Sequence, residues 1–354
     1  MSVFTYANPP VIRWGAGSVA ELGGEVARLG GGPVALVTTR SVAADDRVTG
    51  PVLAALAGCQ PVVTVTIGQH APLAQVERAT ADVDAAGAGL VVSLGGGSPV
   101  DAAKIVARDV ADRRGRERSL PHVAVPTTLS VAELASGAGF TDAAGAKAGR
   151  RDPRMLPDSV IYDGELALAT PLSLWLSTGI RALDHAVESF LVPGEHPFSD
   201  VLALEAVRRL FRTLPQARER PNDAGVRTEN QLAAWFSYTL TGPTAAGLSH
   251  VMGKQIGARH GIPHGVTSCL LMPHVMRFQA AGHQDRLAEL SRATGSGGGA
   301  LAAADDVAGL IAALDLPRHI AAYGVGEPEL RTAAEELAGQ RTADDLLAIY
   351  LAAL

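Results

Sequence analysis

GLVVSLGGGSPVDAAK, residues 89–104, decides the fold. Gly89 to Leu94 reads as a short apolar β-strand, Gly95, Gly96 and Gly97 form a turn, and a helix begins near Ser98 with Asp101 in its first turn and Lys104 one turn on. Three glycines let the backbone approach a bulky anion with no Cβ in the way. The N-terminus of a helix adds unpaired N–H groups and a partial positive charge. The stretch therefore reads as a pyrophosphate seat, the alternative being a tight strand-to-helix turn with no ligand. The spacing is not G-x-G-x-x-G, which disfavours an ordinary dinucleotide fold.

Outward from this stretch the first half alternates. PVALVTT (33–39), PVVTVTI (61–67) and HVAVPTT (122–128) are further apolar, β-rich runs bounded by Gly or Pro, and Ala-rich helical stretches lie between them. Strands alternating with helices imply a parallel, doubly wound sheet. Its two covered faces explain strands that are apolar throughout. VIYD (160–163) is the last extended segment, and beyond Pro171 the chain reads as consecutive helices over 172–191, 198–214, 227–241, 244–258, 265–280, 283–294, 300–313, 327–338 and 342–353. The expected architecture is an α/β domain over residues 1–165 followed by an all-helical domain over 166–354. GSGGG (295–299) follows no strand and reads as a flexible connection.

The 354 residues, 47% of them hydrophobic, suffice for two cores, and a net charge of −6 recommends neither nucleic acid nor an anionic membrane as partner. Cys59 and Cys269 are too few and too far apart for a disulfide framework, and no leader peptide or apolar run of membrane-spanning length is evident. A cytoplasmic enzyme acting on a small molecule is expected. Of 30 Lys+Arg only Lys104, Lys147 and Lys254 are lysine. A lysine kept in such a chain marks a place where a compact ammonium is wanted.

Candidate chemistry lies in three further segments. Thr127 and Thr128 stand at the carboxyl end of a predicted strand, where open α/β sheets bind ligands. GIRALDHAVESF (179–190) puts Arg181, His185 and Glu188 on roughly one helix face. GLSHVMGKQIGARHGIPHG (247–265) adds His250 and Lys254 one turn apart, then His264. Three imidazoles at this spacing suit a shared site, and could bind zinc or iron.

With these motifs in view the chain resembles the iron-containing alcohol dehydrogenase superfamily, from RWGAGS (13–18) through GGGSPVDAAK and PTTLS to PHGVTSCLLMPHVMRF (263–278). The resemblance implies a dehydroquinate synthase-like fold: an N-terminal α/β nucleotide domain, a C-terminal helical domain and an active site in the cleft between. It assigns Gly95, Gly96, Gly97, Ser98 and Asp101 to the pyrophosphate loop, Thr127, Thr128 and Leu129 to the nicotinamide side, and Lys147 to the cofactor. Thr39, followed by Arg40, takes the place of an acidic residue that holds the adenine ribose, so NADPH is expected to be accepted as well as NADH. Relatives that hold iron or zinc use one Asp and three His. His185, His250 and His264 match the histidines, but the aspartate's place holds Arg181, which cannot ligate and stays charged. No metal is expected, although Asp184 or Glu188 could substitute.

This loss resembles the metal-independent maleylacetate reductases, toward which His70-Ala71-Pro72 and VIYDGEL (160–166) also lean. Lys254 stands where many relatives have His, and Val131 where they have Gly. The expected activity is therefore a metal-independent, NAD(P)H-dependent reduction of a carbonyl compound bearing an anionic group, with Arg181, His185, His250, Lys254 and His264 as catalytic candidates. Lys254 is here a second cation or an amine whose pKa Arg181 lowers. The alternatives are a metal-dependent alcohol dehydrogenase and a repurposed non-redox lyase, cyclase or dehydratase. A homodimer is expected from the same resemblance.

Overall fold

Six parallel strands order as β1–β8–β5–β4–β2–β3 in the computed structural model, which describes residues 6–59, 62–239, 247–339 and 341–354. They are β1 (Val11–Trp14), β2 (Val34–Thr38), β3 (Val62–Thr66), β4 (Leu90–Gly95), β5 (His122–Pro126) and β8 (Ser159–Tyr162). An antiparallel hairpin of β6 (Gly137–Thr141) and β7 (Lys147–Arg151) forms a separate two-stranded sheet.

The apolar runs of β2 and β4 feed two cores. Val34, Leu36, Leu90, Val92 and Leu94 enter one cluster with Val125 and Ile161. Ala35, Val37 and Val91 enter the other with Val106 and Val110 of the helix Gly97–Arg113. Successive residues of a strand point to opposite faces, so a sheet covered on both sides needs apolar residues at every position. The order also reverses between β2 and β4, since the chain steps outward from β2 to β3 and from β4 to β5 in opposite directions. Ligands of open α/β sheets bind at such a switch point, beyond the carboxyl ends of the strands. Thr38–Thr39 and Gly95–Gly96 are those ends.

The chain divides into two units. One holds Thr5–Pro171 together with Asn222–Leu232, the other Leu172–Pro221 and Ala233–Leu354. The boundary thus falls at Pro171 rather than 165, and a later segment returns to the sheet unit. Gln231 Nε2 donates to the carbonyl of Pro126, and a Cβ on Gly164 would meet the carbonyl oxygen of Ala224 at 2.1 Å. The helix Ala224–Ser237 is therefore part of the sheet unit's own packing along its first nine residues.

The second unit is helical: Leu172–Phe190, Pro197–Glu219, Leu248–His260, His264–Gln279, Gln284–Thr294, Ala300–Ala313, Glu327–Leu337 and Ala343–Ala352. The helix expected over 198–214 runs on through Pro215 to Glu219. The ends expected near 241 and 244 lie outside the described residues. One core of this unit gathers Met252, Ile256, Leu270, Leu271, Val275, Leu330, Ile349 and Tyr350. Among the described residues no helix is long and apolar enough to cross a membrane.

Candidate active site

In the sheet unit the glycine turn is built for close approach. Gly95 has φ +134°, which L side chains rarely adopt, and a Cβ there would stand 2.9 Å from Pro99 Cγ. Cβ atoms on Gly96 and Gly97 would each come within 3.2 Å of Thr128 and Ser130 respectively, so the turn and the threonine segment lie against one another. The helix Gly97–Arg113 starts without any side-chain cap, leaving its first N–H groups unclaimed by a side chain. Thr128 Oγ1 and Ser130 Oγ are buried and have no partner among the described residues. An uncapped helix end and two orphan hydroxyls beside a side-chain-free turn fit a pyrophosphate.

The other cofactor candidates divide. Ser98 Oγ accepts from the His70 backbone N–H at 2.9 Å, and Lys147 on β7 is near enough to His70 to lower the imidazole's pKa, second to burial. Thr39 caps the short helix Arg40–Ala43 by accepting from Val42 N–H, and Arg40 is exposed. Thr127 and Leu129 are buried at the end of β5. Asp101 is different. Its Oδ1 takes Lys104 Nζ at 3.1 Å and its Oδ2 the Gly139 N–H at 3.0 Å. Lys104, fully buried, also donates to the Gly137 carbonyl at 2.7 Å. The pair fastens the β6–β7 hairpin to the glycine-turn helix, which gives Asp101 a structural role at the place where the resemblance expects a cofactor contact.

Val131 stands in the left-handed region at φ 55°, ψ 19° and is buried. For a β-branched residue this backbone is strained, by about 1–2 kcal/mol. The glycine expected from the resemblance at this position would carry no such strain. Next to it, Glu133 is enclosed with Tyr162 OH donating to its Oε1 at 2.8 Å, and burial pushes its pKa up to about 7.

The helical unit assembles a polar cluster in its interior. Arg181, Asp184, His185 and Glu188 come from successive turns of Leu172–Phe190; Ser249 and His250 open Leu248–His260; Ser268 sits on His264–Gln279. Asp184, fully buried, accepts at Oδ2 from Ser249 at 2.9 Å and Ser268 at 2.7 Å. Arg181 Nη1 donates to Ser268 Oγ at 3.1 Å and lies 3.9 Å from Asp184 Oδ2. Burial pulls the guanidinium's pKa down while Asp184 and Glu188 pull it back up. A guanidinium stays protonated nonetheless, and Asp184 is its counter-charge. Burial raises the Asp184 pKa to about 6, Glu188 adding to the rise.

Glu188 closes the other side. Its carboxylate accepts from the N–H groups of Gly247 (2.9 Å) and His250 (3.1 Å) at the start of Leu248–His260, where an anion is favoured by the exposed amides and the helix dipole. Burial nevertheless raises its pKa to about 7. His250 Nδ1 lies 2.7 Å from Glu188 Oε2, yet both ring nitrogens are buried with no hydrogen-bond partner among the described residues. The His185 ring packs against His250 at 4.3 Å between centroids and edge-on to Tyr238 at 5.3 Å. Burial drives His250 down to about 3, helped by Arg181, and also lowers His185 well below its usual value, helped by His250, Arg181 and His264. Both imidazoles are thus neutral.

Arg181, His185 and His250 are brought together as expected, and His264, half-buried at the start of its helix, is close enough to act on His185. Lys254 is not with them: it is exposed, outside the buried cluster. Sequence reading did not find Ser249, Ser268 or Gly247, and weighed Asp184 only as a substitute ligand. Ligand atoms of Asp184, Glu188 and His250 do lie within 4.8 Å of one another. Asp184 Oδ2 is engaged by two serine hydroxyls and Glu188 by the helix amides, whereas Asp184 Oδ1 and both His250 ring nitrogens are buried with no hydrogen-bond partner among the described residues; Arg181 stands beside them.

Two sequence profiles match the chain: "Iron-containing alcohol dehydrogenase" over residues 9–164 and "Fe-containing alcohol dehydrogenase family, C-terminal" over residues 175–345. The maleylacetate reductase of Rhizobium sp. (strain MTP-10005) is 30% identical over 336 residues, covering 95% of this chain and 91% of that protein. Maleylacetate reductase 2 of Cupriavidus pinatubonensis is 33% identical over 293 residues, covering 82% and 77%. The crystal structure of maleylacetate reductase from Agrobacterium tumefaciens matches with a TM-score of 0.86 at 28% identity, covering 100% of this chain and 99% of that one. The nucleotide-binding α/β unit, the helical unit and these matches agree. The chain belongs to the iron-containing alcohol dehydrogenase family and is an NAD(P)-dependent oxidoreductase.

Proposed function

We propose that this enzyme reduces the carbonyl group of an oxo acid, in the manner of a maleylacetate reductase, without a metal ion. The observation that carries this reading is Arg181, a largely buried guanidinium beside the fully buried Asp184, in the place where the family resemblance expects a metal-binding aspartate. A divalent cation there would meet the fixed positive charge of Arg181 beside Asp184; Asp184 Oδ1 and both His250 ring nitrogens are unclaimed among the described residues, so on this reading it is the guanidinium that keeps a metal out.

When bound, the nicotinamide supplies the hydride. Gly95, Gly96, Gly97 and Ser98, with Thr127, Thr128, Leu129 and Lys147, would hold the dinucleotide. Thr39 presents no carboxylate to repel a 2′-phosphate and Arg40 is exposed beside it, which favours NADPH. Arg181 stabilises the oxyanion that develops on the substrate, an interaction strengthened by the water-poor surroundings, or grips a substrate carboxylate through its planar fork. His250, through the unpartnered Nε2, is the group that handles the proton, with His264 as the other candidate.

The test is NAD(P)H oxidation monitored with a panel of oxo acids, maleylacetate among them, with EDTA present, alongside metal analysis of the purified protein. Turnover indifferent to EDTA in a metal-free preparation is expected. Activity that requires stoichiometric iron or zinc would sink the reading of Arg181.

A further inference from the structure

The carboxyl end of β5 is held by more than its neighbouring strands. On one side β4 accompanies it to the last residue, with Gly95 opposite Pro126, and the Thr127 N–H then donates to the Gly95 carbonyl at 2.8 Å. On the other side β8 pairs with it at Val123 and Ala124, short of that end. Beyond those residues side chains take over. Gln231, fully buried on the helix Ala224–Ser237, donates from Nε2 to the Pro126 carbonyl at 3.3 Å, and Thr170 Oγ1 donates to the Thr127 carbonyl at 2.7 Å. Two consecutive carbonyls are thus each claimed by a side chain from a distant part of the chain, as buried carbonyls require. The next residue is Thr128, whose buried Oγ1 has no partner among the described residues and lies against the glycine turn.

From this geometry we infer that Gln231 and Thr170 are positioning residues for the cofactor: by holding the carbonyls of Pro126 and Thr127 they fix the backbone from which Thr128 presents its hydroxyl to the dinucleotide. The inference rests on the proposed function above, in which Thr127 and Thr128 help to hold that dinucleotide. A buried carbonyl that loses its donor turns to find another, and because the peptide unit is planar the following residue turns with it. Neither Gln231 nor Thr170 needs to touch the cofactor for this effect.

The experiment titrates NADPH and NADH by fluorescence into the full-length wild type and into Gln231→Met, Thr170→Val, Thr170→Ser and Thr128→Val. Gln231→Met and Thr170→Val keep the approximate shape and lose the donor. Each is expected to raise the dissociation constant for the bound nucleotide by about 3–10-fold, the worth of one ordinary hydrogen bond, with KM for the oxo acid nearly unchanged. Thr170→Ser keeps the hydroxyl and should bind as the wild type does. In the Thr128→Val background neither substitution should cost anything further. Lower stability with unchanged affinity, or losses that add to that of Thr128→Val, would overturn the inference by showing that the two side chains serve packing alone. Amide hydrogen exchange gives a readout independent of binding: the Thr127 N–H should exchange faster in Gln231→Met and Thr170→Val than in Thr170→Ser, with the amides of β2 as protected as before. If the wild type binds neither nucleotide, the proposed function fails while exchange still decides the positioning; an unchanged Thr127 amide in both variants overturns it.

Discussion

Gly247 has no Cβ at the point where one would stand 2.5 Å from Glu188 Oε1, and this absence lets a carboxylate from one helix cap another. Its φ of −73° suits any residue. Gly247→Ala therefore acts by crowding alone, displacing Glu188, and is expected to cost about 1–3 kcal/mol. Chemical denaturation measures the loss.

Arg181 and Asp184 are expected to behave as a buried pair. Asp184→Asn strands the guanidinium and should destabilise the protein by about 3–5 kcal/mol. Adding Arg181→Met should restore much of that stability while abolishing oxo acid reduction. A double variant no more stable than Asp184→Asn would show that the charges are not coupled.

Glu133 makes stability depend on pH. Its folded-state pKa, about 7, lies above the ordinary 4.5, so the folded protein binds this proton more tightly than the unfolded chain does. The stabilisation is full below pH about 4.5 and is lost as pH rises through about 7, a change of at most about 3 kcal/mol. Glu133→Gln stays neutral throughout. Urea midpoints of wild type and variant should diverge in favour of the variant across that window, and parallel curves would rule the effect out.

Two substitutions at one position isolate the strain at Val131. Alanine and glycine both forfeit the buried branches, but only glycine sheds the Cβ that opposes φ 55°. Val131→Gly is expected to be more stable than Val131→Ala by about 1 kcal/mol, the reverse of the order in a helix. Thermal melts of the two variants decide it.

Most of this fold is legible in the sequence because β2, β3, β4, β5 and β8 are apolar runs between Gly or Pro residues. β1 escaped detection: VIRW is an edge strand whose Trp14 is largely exposed, so it carries no buried pattern. The β6–β7 hairpin, GAGFT and KAGRR, hides for another reason: β6 buries only Ala138 and Phe140 between glycines, too short and glycine-rich a run to read as a strand, and Lys104 and Asp101 on a distant helix help to hold it. In the site, Arg181, His185 and His250 announce themselves, whereas Ser249 and Ser268 are ordinary residues until folding points both at Asp184. Lys254 lies off the buried face of its helix for a geometric reason. Four residues advance a helix by about 40° beyond a full turn. His250 stands at the rim of the buried arc formed by Ser249, Met252, Gly253, Ile256 and Gly257, and Lys254 falls past it. Of the three lysines, Lys104 is the one whose compact ammonium is fully enclosed.

The return of Asn222–Leu232 to the sheet unit sets a schedule for biosynthesis. By the time Pro171 has left the ribosome every strand of the sheet has been made, yet Gly164 and the Pro126 carbonyl still await their contacts with Ala224 and Gln231. The nascent nucleotide unit thus stays unfinished through some sixty further residues of translation, and a gene cut after codon 171 would encode an incomplete body.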